Sequence, residues 1–221
     1  MREVSIHNIG HMIGNHIAKK VGKPNKENLF SYGAEILIGG IVKIFTLFIV
    51  SIFLDVAIEV AMLTLVIAIT RILSGGAHST AYYRCLTTSI IVFVSLGYAI
   101  KTMHPLLSVQ SPVVLGGIMV LYIYLYWSYA PQAPTNKPFK TKEAEAVFRK
   151  YTLIAVFVLS LIPFFLGVES LASWIVACGL LWQGFTLTPV GHGFVGLMDD
   201  LLSFGRKEAK SSVEVIDKNN V

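Results

Sequence analysis

Charge is scarce in this sequence. Only 14% of its 221 residues are Asp, Glu, Lys or Arg, against about 25% in an ordinary soluble domain. Hydrophobic residues make up 54%, in long runs rather than at amphipathic spacing, which excludes a soluble globular chain. Cysteine is almost absent. Cys85 and Cys178 fall in different segments and no CxxC occurs, so a disulfide framework is not expected. No His-rich or Glu-rich constellation offers a metal site, and His7 and His11, at i, i+4 spacing, lack an evident third ligand. The expectation is therefore no metal and no cofactor. The first thirty residues hold no continuous apolar stretch of the kind a cleavable signal peptide needs. No internal repeat is evident.

What is present is a set of apolar runs near twenty residues long. The hydrocarbon phase satisfies no open sheet edge, so only helices or a closed barrel span it. The runs do not alternate apolar with polar, which selects helices. The expected fold is an all-α integral membrane protein with about six transmembrane helices, near 34–54, 56–73, 86–103, 112–130, 151–168 and 170–188. An N-terminal amphipathic helix precedes them, with Val4, Ile6, Ile9, Ile13 and Ile17 at mostly three- and four-residue spacing. Residues 1–204 read as one polytopic domain, of which 1–30 form the amphipathic region. Residues 205–221 read as a polar tail.

The net charge of +5 sits beside the apolar runs and predicts no nucleic-acid partner; it reads as a topology signal. Sixteen Lys and Arg fall in the N-terminal segment, the second–third joint, the fourth–fifth joint and the tail, against Lys101 alone in the opposite joints. The positive-inside rule then expects both termini and both of those joints in the cytoplasm, which requires an even number of spans.

The second–third joint carries the chemistry. "RILSGGAHSTAYYRC", Arg71 to Cys85, holds a glycine pair, a histidine and a cysteine. A histidine can hold a cysteine as its nucleophilic thiolate. Seven residues on one helix would align His78 and Cys85 on one face but leave an axial rise of about 10.5 Å, far beyond a hydrogen bond. A working pair needs a bend or a second subunit. Gly75 and Gly76 weaken a helix there, and could expose backbone N–H groups to a substrate carbonyl. Arg71 and Arg84 add positive potential. The bland readings stand beside this one: a packed cysteine, a helix cap, a snorkelling histidine. Cys178, in "SWIVACGLLWQGF", reads as packing. Glu59 and Lys43 read as a structural pair within the spans. His104 reads as a loop residue, and His192 as lying in a glycine-rich turn; Asp199 or Asp200 could orient a histidine. In "YAPQAPTNKPFKTK" the prolines forbid a helix until after Pro138. Lys137, Lys140 and Lys142 there would meet anionic lipid or an acidic peptide.

Arg71, Gly75, Gly76, His78 and Cys85 in this order resemble the signature of accessory gene regulator protein B, and "YAPQAPTNKP" is similar to that family's proline-rich basic loop, with the lysines more widely spread here. The resemblance implies a membrane cysteine endopeptidase of quorum sensing in the bacterial plasma membrane, with its active site cytoplasmic. Such an enzyme cuts a small amphipathic precursor peptide on its C-terminal side and promotes closure to a thiolactone or lactone signal. It implies His78 and Cys85 as the catalytic pair, with Arg71 and Gly76 as the family's arginine and glycine. Gly75 would support the site, and Arg84 with the loop lysines Lys137, Lys140 and Lys142 would hold substrate. The family and the small residues Gly39 and Gly40 point to a homodimer. Docking of the precursor against residues 2–20 is one way to present it. A peptide exporter, with Lys43, Glu59 and the basic loop lining a path, is the reading from a different class; an inert scaffold is a third.

Overall fold

The computed structural model describes residues 6–77, 79, 81–107, 111–133, 139 and 141–203. The tail expected at 205–221 lies outside them. The described residues are helical almost throughout, with no β-strand among them. They are α1 (Ile6–Lys20), a 3-10 turn at Pro24–Lys26, α2 (Glu27–Phe53), α3 (Ala57–Ser74), α4 (Tyr82–Leu107), α5 (Ser111–Tyr129), α6 (Lys142–Ser160), α7 (Ile162–Leu166), α8 (Leu171–Phe185) and α9 (Pro189–Leu201). The chain divides into two compact units, Met1–Ile49 and Val50–Val221.

In the first unit, α1 doubles back onto the start of α2. Gly22, at φ +68°, reverses the chain, and Gly14 brings the α1 backbone against Ser31 of α2. His11 stands 3.6 Å from Glu27. Met12, Ile13 and Ile17 remain exposed on α1, the amphipathic face expected from its spacing.

Among the described residues five helices, α2 and four of the second unit, have a length and hydropathy that can cross a bilayer. The sixth span expected at 170–188 is α8, a single helix of 15 residues, which reaches the length of a span only together with α9, bent from it by 86°. Thr188 explains the break: its hydroxyl accepts from the N–H of Gly191 at 3.0 Å, starting a new helix, and Pro189 at the first position cannot continue the old one. His192 consequently lies on a helix and not in a turn. α4 likewise runs through His104 and Pro105, so His104 is helical, not a loop residue. Its Nε2 donates to the carbonyl of Glu169 at 2.5 Å, which repays the ring's position at the helix end. α6 starts nine residues before the expected span because Thr141 caps it, accepting from Ala144 N–H at 3.2 Å. Its first turns are polar.

α8 is the centre of this unit. It packs on α3, α5, α4 and α6, and Trp174, Ile175, Val176, Ala177 and Leu180 are buried along it. α3 contributes Val60, Leu63, Val66 and Ile67 to the same core. Burying one such side chain stabilises by about 1.5–3 kcal/mol against water, but in lipid close packing and interhelical polar contacts carry more of the selection. Tyr122 of α5 donates to Ser160 of α6 at 2.8 Å, both buried. The outward faces are apolar, as with Phe53, Ile72 and Val113, which suits hydrocarbon. At the end of the unit away from the glycine pair, Lys101 Nζ donates to Asp55 Oδ2 at 2.8 Å. That hydrogen bond and the lysine's charge hold the Asp55 carboxyl below the ordinary carboxylate range. Glu59, buried in α3, also lies within electrostatic reach of Lys101.

Candidate active site

α3 stops where the glycine pair begins. Gly75 takes φ +72° and ψ −141° and its N–H donates to the Arg71 carbonyl at 2.9 Å. Gly76 has φ +124°. Both values belong to conformations that only glycine adopts readily. The chain re-enters a helix at Tyr82, so α3 and α4 are separate and the rigid two-turn separation of His78 and Cys85 does not arise. His78 itself lies outside the described residues.

Three segments far apart in sequence clamp this turn. The first is the chain just after α5. Gly75 and Gln132 form an isolated parallel bridge, and the Gln132 N–H donates to the Ser74 carbonyl at 2.7 Å. The second is the α8–α9 break, where the Ala77 N–H donates to the Thr186 carbonyl at 3.2 Å. The third is Gln183, fully buried in α8. Its Nε2 donates to Gly75 O at 2.8 Å and Ser74 Oγ at 3.0 Å, and its Oε1 accepts from Arg71 Nη1 at 3.4 Å. Arg71 Nη2 donates to the Ala77 carbonyl, one residue before His78. Arg71 thus fixes the backbone of the turn rather than reaching out to solvent.

Gly75 N–H is occupied by Arg71, so this amide is a helix cap and not a donor to substrate. The residue is needed for contact: a Cβ there would stand 1.9 Å from the Gln132 carbonyl oxygen. A Cβ on Gly76 would lie 3.1 Å from Thr186 Oγ1 and 3.3 Å from Gln183 Nε2. Gly75→Ala is expected to cost on the order of 3 kcal/mol through clash and strained φ, read as a lower unfolding temperature in lipid nanodiscs. Gly117→Ala, where a Cβ meets nothing within 4 Å, is the control and should leave that temperature unchanged.

Cys85 is the fourth residue of α4 and is half-buried. Its N–H donates to the Ala81 carbonyl at 3.1 Å, and its own carbonyl accepts from Ser89 Oγ at 2.8 Å. It lies within electrostatic reach of Arg71 and of Tyr82. The first turn of a helix also directs its backbone N–H dipoles toward negative charge. Arg84, its neighbour, pairs with Asp199 of α9 at 2.8 Å and stacks 5.6 Å from the Tyr83 ring centre. Cys178 is likewise a thiol outside any disulfide, in the middle of α8.

The structure therefore gathers Arg71, Gly75 and Gly76 into one turn and puts Cys85 and Arg84 at the start of the next helix. Lys142, exposed, opens α6; Lys137 and Lys140 lie outside the described residues. His192 donates from Nε2 to Gln132 Oε1 at 2.7 Å, which joins α9 to the chain after α5, while Gln132 Nε2 donates to the Leu187 carbonyl. Sequence reading passed over Gln183, Gln132 and Ser74. One signal for Gln183 was available: an amide side chain inside an apolar run is costly in lipid and needs a partner. Gln132 and Ser74 gave none, because their partners are set by tertiary contact alone.

Comparison with known proteins agrees over most of the chain. Residues 11–187 match the family described as accessory gene regulator B. AgrB-like protein 2 of Clostridium perfringens strain 13 is 26% identical over 206 residues, covering 88% of this chain and 96% of that protein. Protein FsrB of Enterococcus faecalis strain OG1RF is 27% identical over 184 residues, covering 83% and 73%. Accessory gene regulator protein B of Staphylococcus aureus strain RF122 is 25% identical over 158 residues, covering 72% and 80%. No solved structure matches the chain.

Proposed function

Because the chain belongs to the accessory gene regulator B family, we propose that it is a membrane cysteine endopeptidase, with Cys85 as nucleophile and His78 as its base. In this reading it cleaves a small amphipathic precursor peptide and closes the N-terminal fragment into a thiolactone or lactone signal. The observation that carries the reading is the clamped turn: Arg71, Gln183 and Gln132 fix the backbone up to Ala77, immediately before His78, while Cys85 opens the following helix. Because the turn and α4 are separate elements, the fixed two-turn spacing that a single straight helix would impose on the pair is lifted.

The chemistry runs in two acyl transfers. His78 takes the Cys85 thiol proton, and Sγ attacks the scissile carbonyl carbon. The C–N bond breaks and the C-terminal fragment leaves as an amine, protonated by His78. The N-terminal fragment is now a thioester on Cys85, which keeps the acyl group activated. A Cys or Ser within the same peptide gives its proton to His78 and attacks that carbonyl. The thioester breaks and the proton returns to Cys85. Exclusion of water favours ring closure over hydrolysis, and a site at the membrane edge serves that end. The distribution of Lys and Arg supports a cytoplasmic site with both termini on the same side. Lys137, Lys140 and Lys142 are the cations offered to an acidic substrate; Arg84 is instead engaged by Asp199.

The test is to trap the thioester. The full chain in lipid nanodiscs, given an amphipathic precursor whose internal nucleophile is replaced by Ala, should accumulate a peptide adduct on Cys85 that hydroxylamine releases. Release of linear product with no adduct on Cys85 at any time would refute the mechanism.

A further inference from the structure

Arg84 is placed against its helix. A cation in the first turn of α4 faces the positive end of the macrodipole, and this one is largely withdrawn from solvent: its side chain is 16% exposed, that of Asp199 10%. Buried ion pairs contribute little net stability, because desolvation offsets their attraction, so stability alone is a poor reason for the arrangement. Its geometry is specific. Arg84 Nη1 donates both to Asp199 Oδ2 at 2.8 Å and to the Asp199 carbonyl at 3.2 Å. That carbonyl is among the last four of α9, which lack an intrahelical donor, so Arg84 caps the negative end of α9 with its head while its backbone belongs to the turn that carries Cys85. Its Nε is buried with no hydrogen-bond partner, a position the guanidinium would leave if Asp199 did not hold it.

We propose that Asp199 is a positioning residue for Cys85: acting through Arg84, it ties the first turn of α4 to the C-terminal end of α9 and sets the charge that Cys85 meets. The proposal rests on the reading of Cys85 as nucleophile. It assigns to α9, beyond the 86° bend, the task of fixing the start of the helix that carries Cys85. The charges near Cys85 are then Arg71, which interacts with it electrostatically from α3, and its chain neighbour Arg84, paired with Asp199 of α9.

The experiment uses the full chain in lipid nanodiscs and two probes, neutral iodoacetamide and anionic iodoacetate, with alkylation of Cys85 resolved from that of Cys178 by mass spectrometry. Asp199→Asn leaves the Arg84 charge uncompensated, so the iodoacetate-to-iodoacetamide rate ratio at Cys85 should rise about fivefold. Arg84→Gln should lower it by a similar factor, and Asp199→Glu should keep it near the wild-type value. Cys178 should report no change in any variant. A purely structural loss would alter both probes alike and leave the ratio where it was. A ratio within about twofold of wild type in Asp199→Asn overturns the proposal, since close opposite charges would then not be coupled. If that variant does not fold, Arg84→Gln decides: an unchanged ratio overturns the tether, and a lowered one supports it. Neither readout needs peptide cleavage. Cys85→Ala that still cleaves would sink the peptidase reading while leaving the coupling between Asp199 and Arg84 to be judged by the probes.

Discussion

Cys85→Ala should lower peptide cleavage by at least about ten-thousandfold, because removing a nucleophile that acts with its base as a unit removes most of the catalysis. Cys178→Ala should leave the rate within about twofold, since surface and packing changes away from the reacting atoms alter catalysis little. The contrast is informative because the two thiols share one bundle. Cys178 lies in α8 with no cation of its own segment near it, whereas Cys85 lies in a helix's first turn, within reach of Arg71 and one residue from Arg84. The assay is mass spectrometry of a co-expressed precursor, in which a cyclised fragment is one water lighter than its linear form. A peptide exporter or an inert scaffold makes the opposite forecast: Cys85→Ala would keep full function. Retained cleavage in that variant would return the glycine turn to a structural role.

Gln183→Leu should be the most damaging substitution away from the reacting pair. Its side chain is fully buried and bridges Arg71, Ser74 and the Gly75 carbonyl. Leucine of similar size removes all three contacts, leaving Arg71 only the Ala77 carbonyl and Ser74 Oγ only a long contact to the Gly75 carbonyl, at about 1–3 kcal/mol for a buried group that loses its partner. A total loss on the order of 3 kcal/mol is expected, visible as a lower unfolding temperature in nanodiscs. Gln183→Glu separates two contributions. The carboxylate still accepts from Arg71, but it brings an acceptor against the Gly75 carbonyl where a donor is required. It should therefore lower stability as well, and Cys85 alkylation should change in both variants because Arg71 and the turn before His78 lose their clamp. Wild-type stability and Cys85 reactivity in Gln183→Leu would mean that the turn is held without it, by the Gln132, Thr186 and Arg71 contacts.

Much of this protein was legible in the residues themselves. The apolar runs determined an all-helical membrane chain, since lipid leaves backbone groups no other way to be satisfied. The glycine pair located the break between α3 and α4, because positive φ is open to glycine and to little else. The prolines after Tyr129 forbade a helix until after Pro138, and α6 starts beyond them, at Lys142. The His–Cys spacing is incompatible with a working pair on one straight helix, and the signature itself resembles the family's. Other features were decided only by tertiary contact. Helix periodicity says that Pro189 ends α8, but not that α9 turns by 86° and brings Asp199 to Arg84, 115 residues away. Composition marks Gln183 as out of place in an apolar run, but its partners belong to α3 and to the turn beyond it. Gln132 looks like any loop residue until its backbone meets Ser74 and its side chain meets Leu187 and His192. Local sequence fixes dihedral preference and burial, which are short-range quantities. The support of a site depends on which helix ends meet, and that follows from packing of the whole bundle around α8.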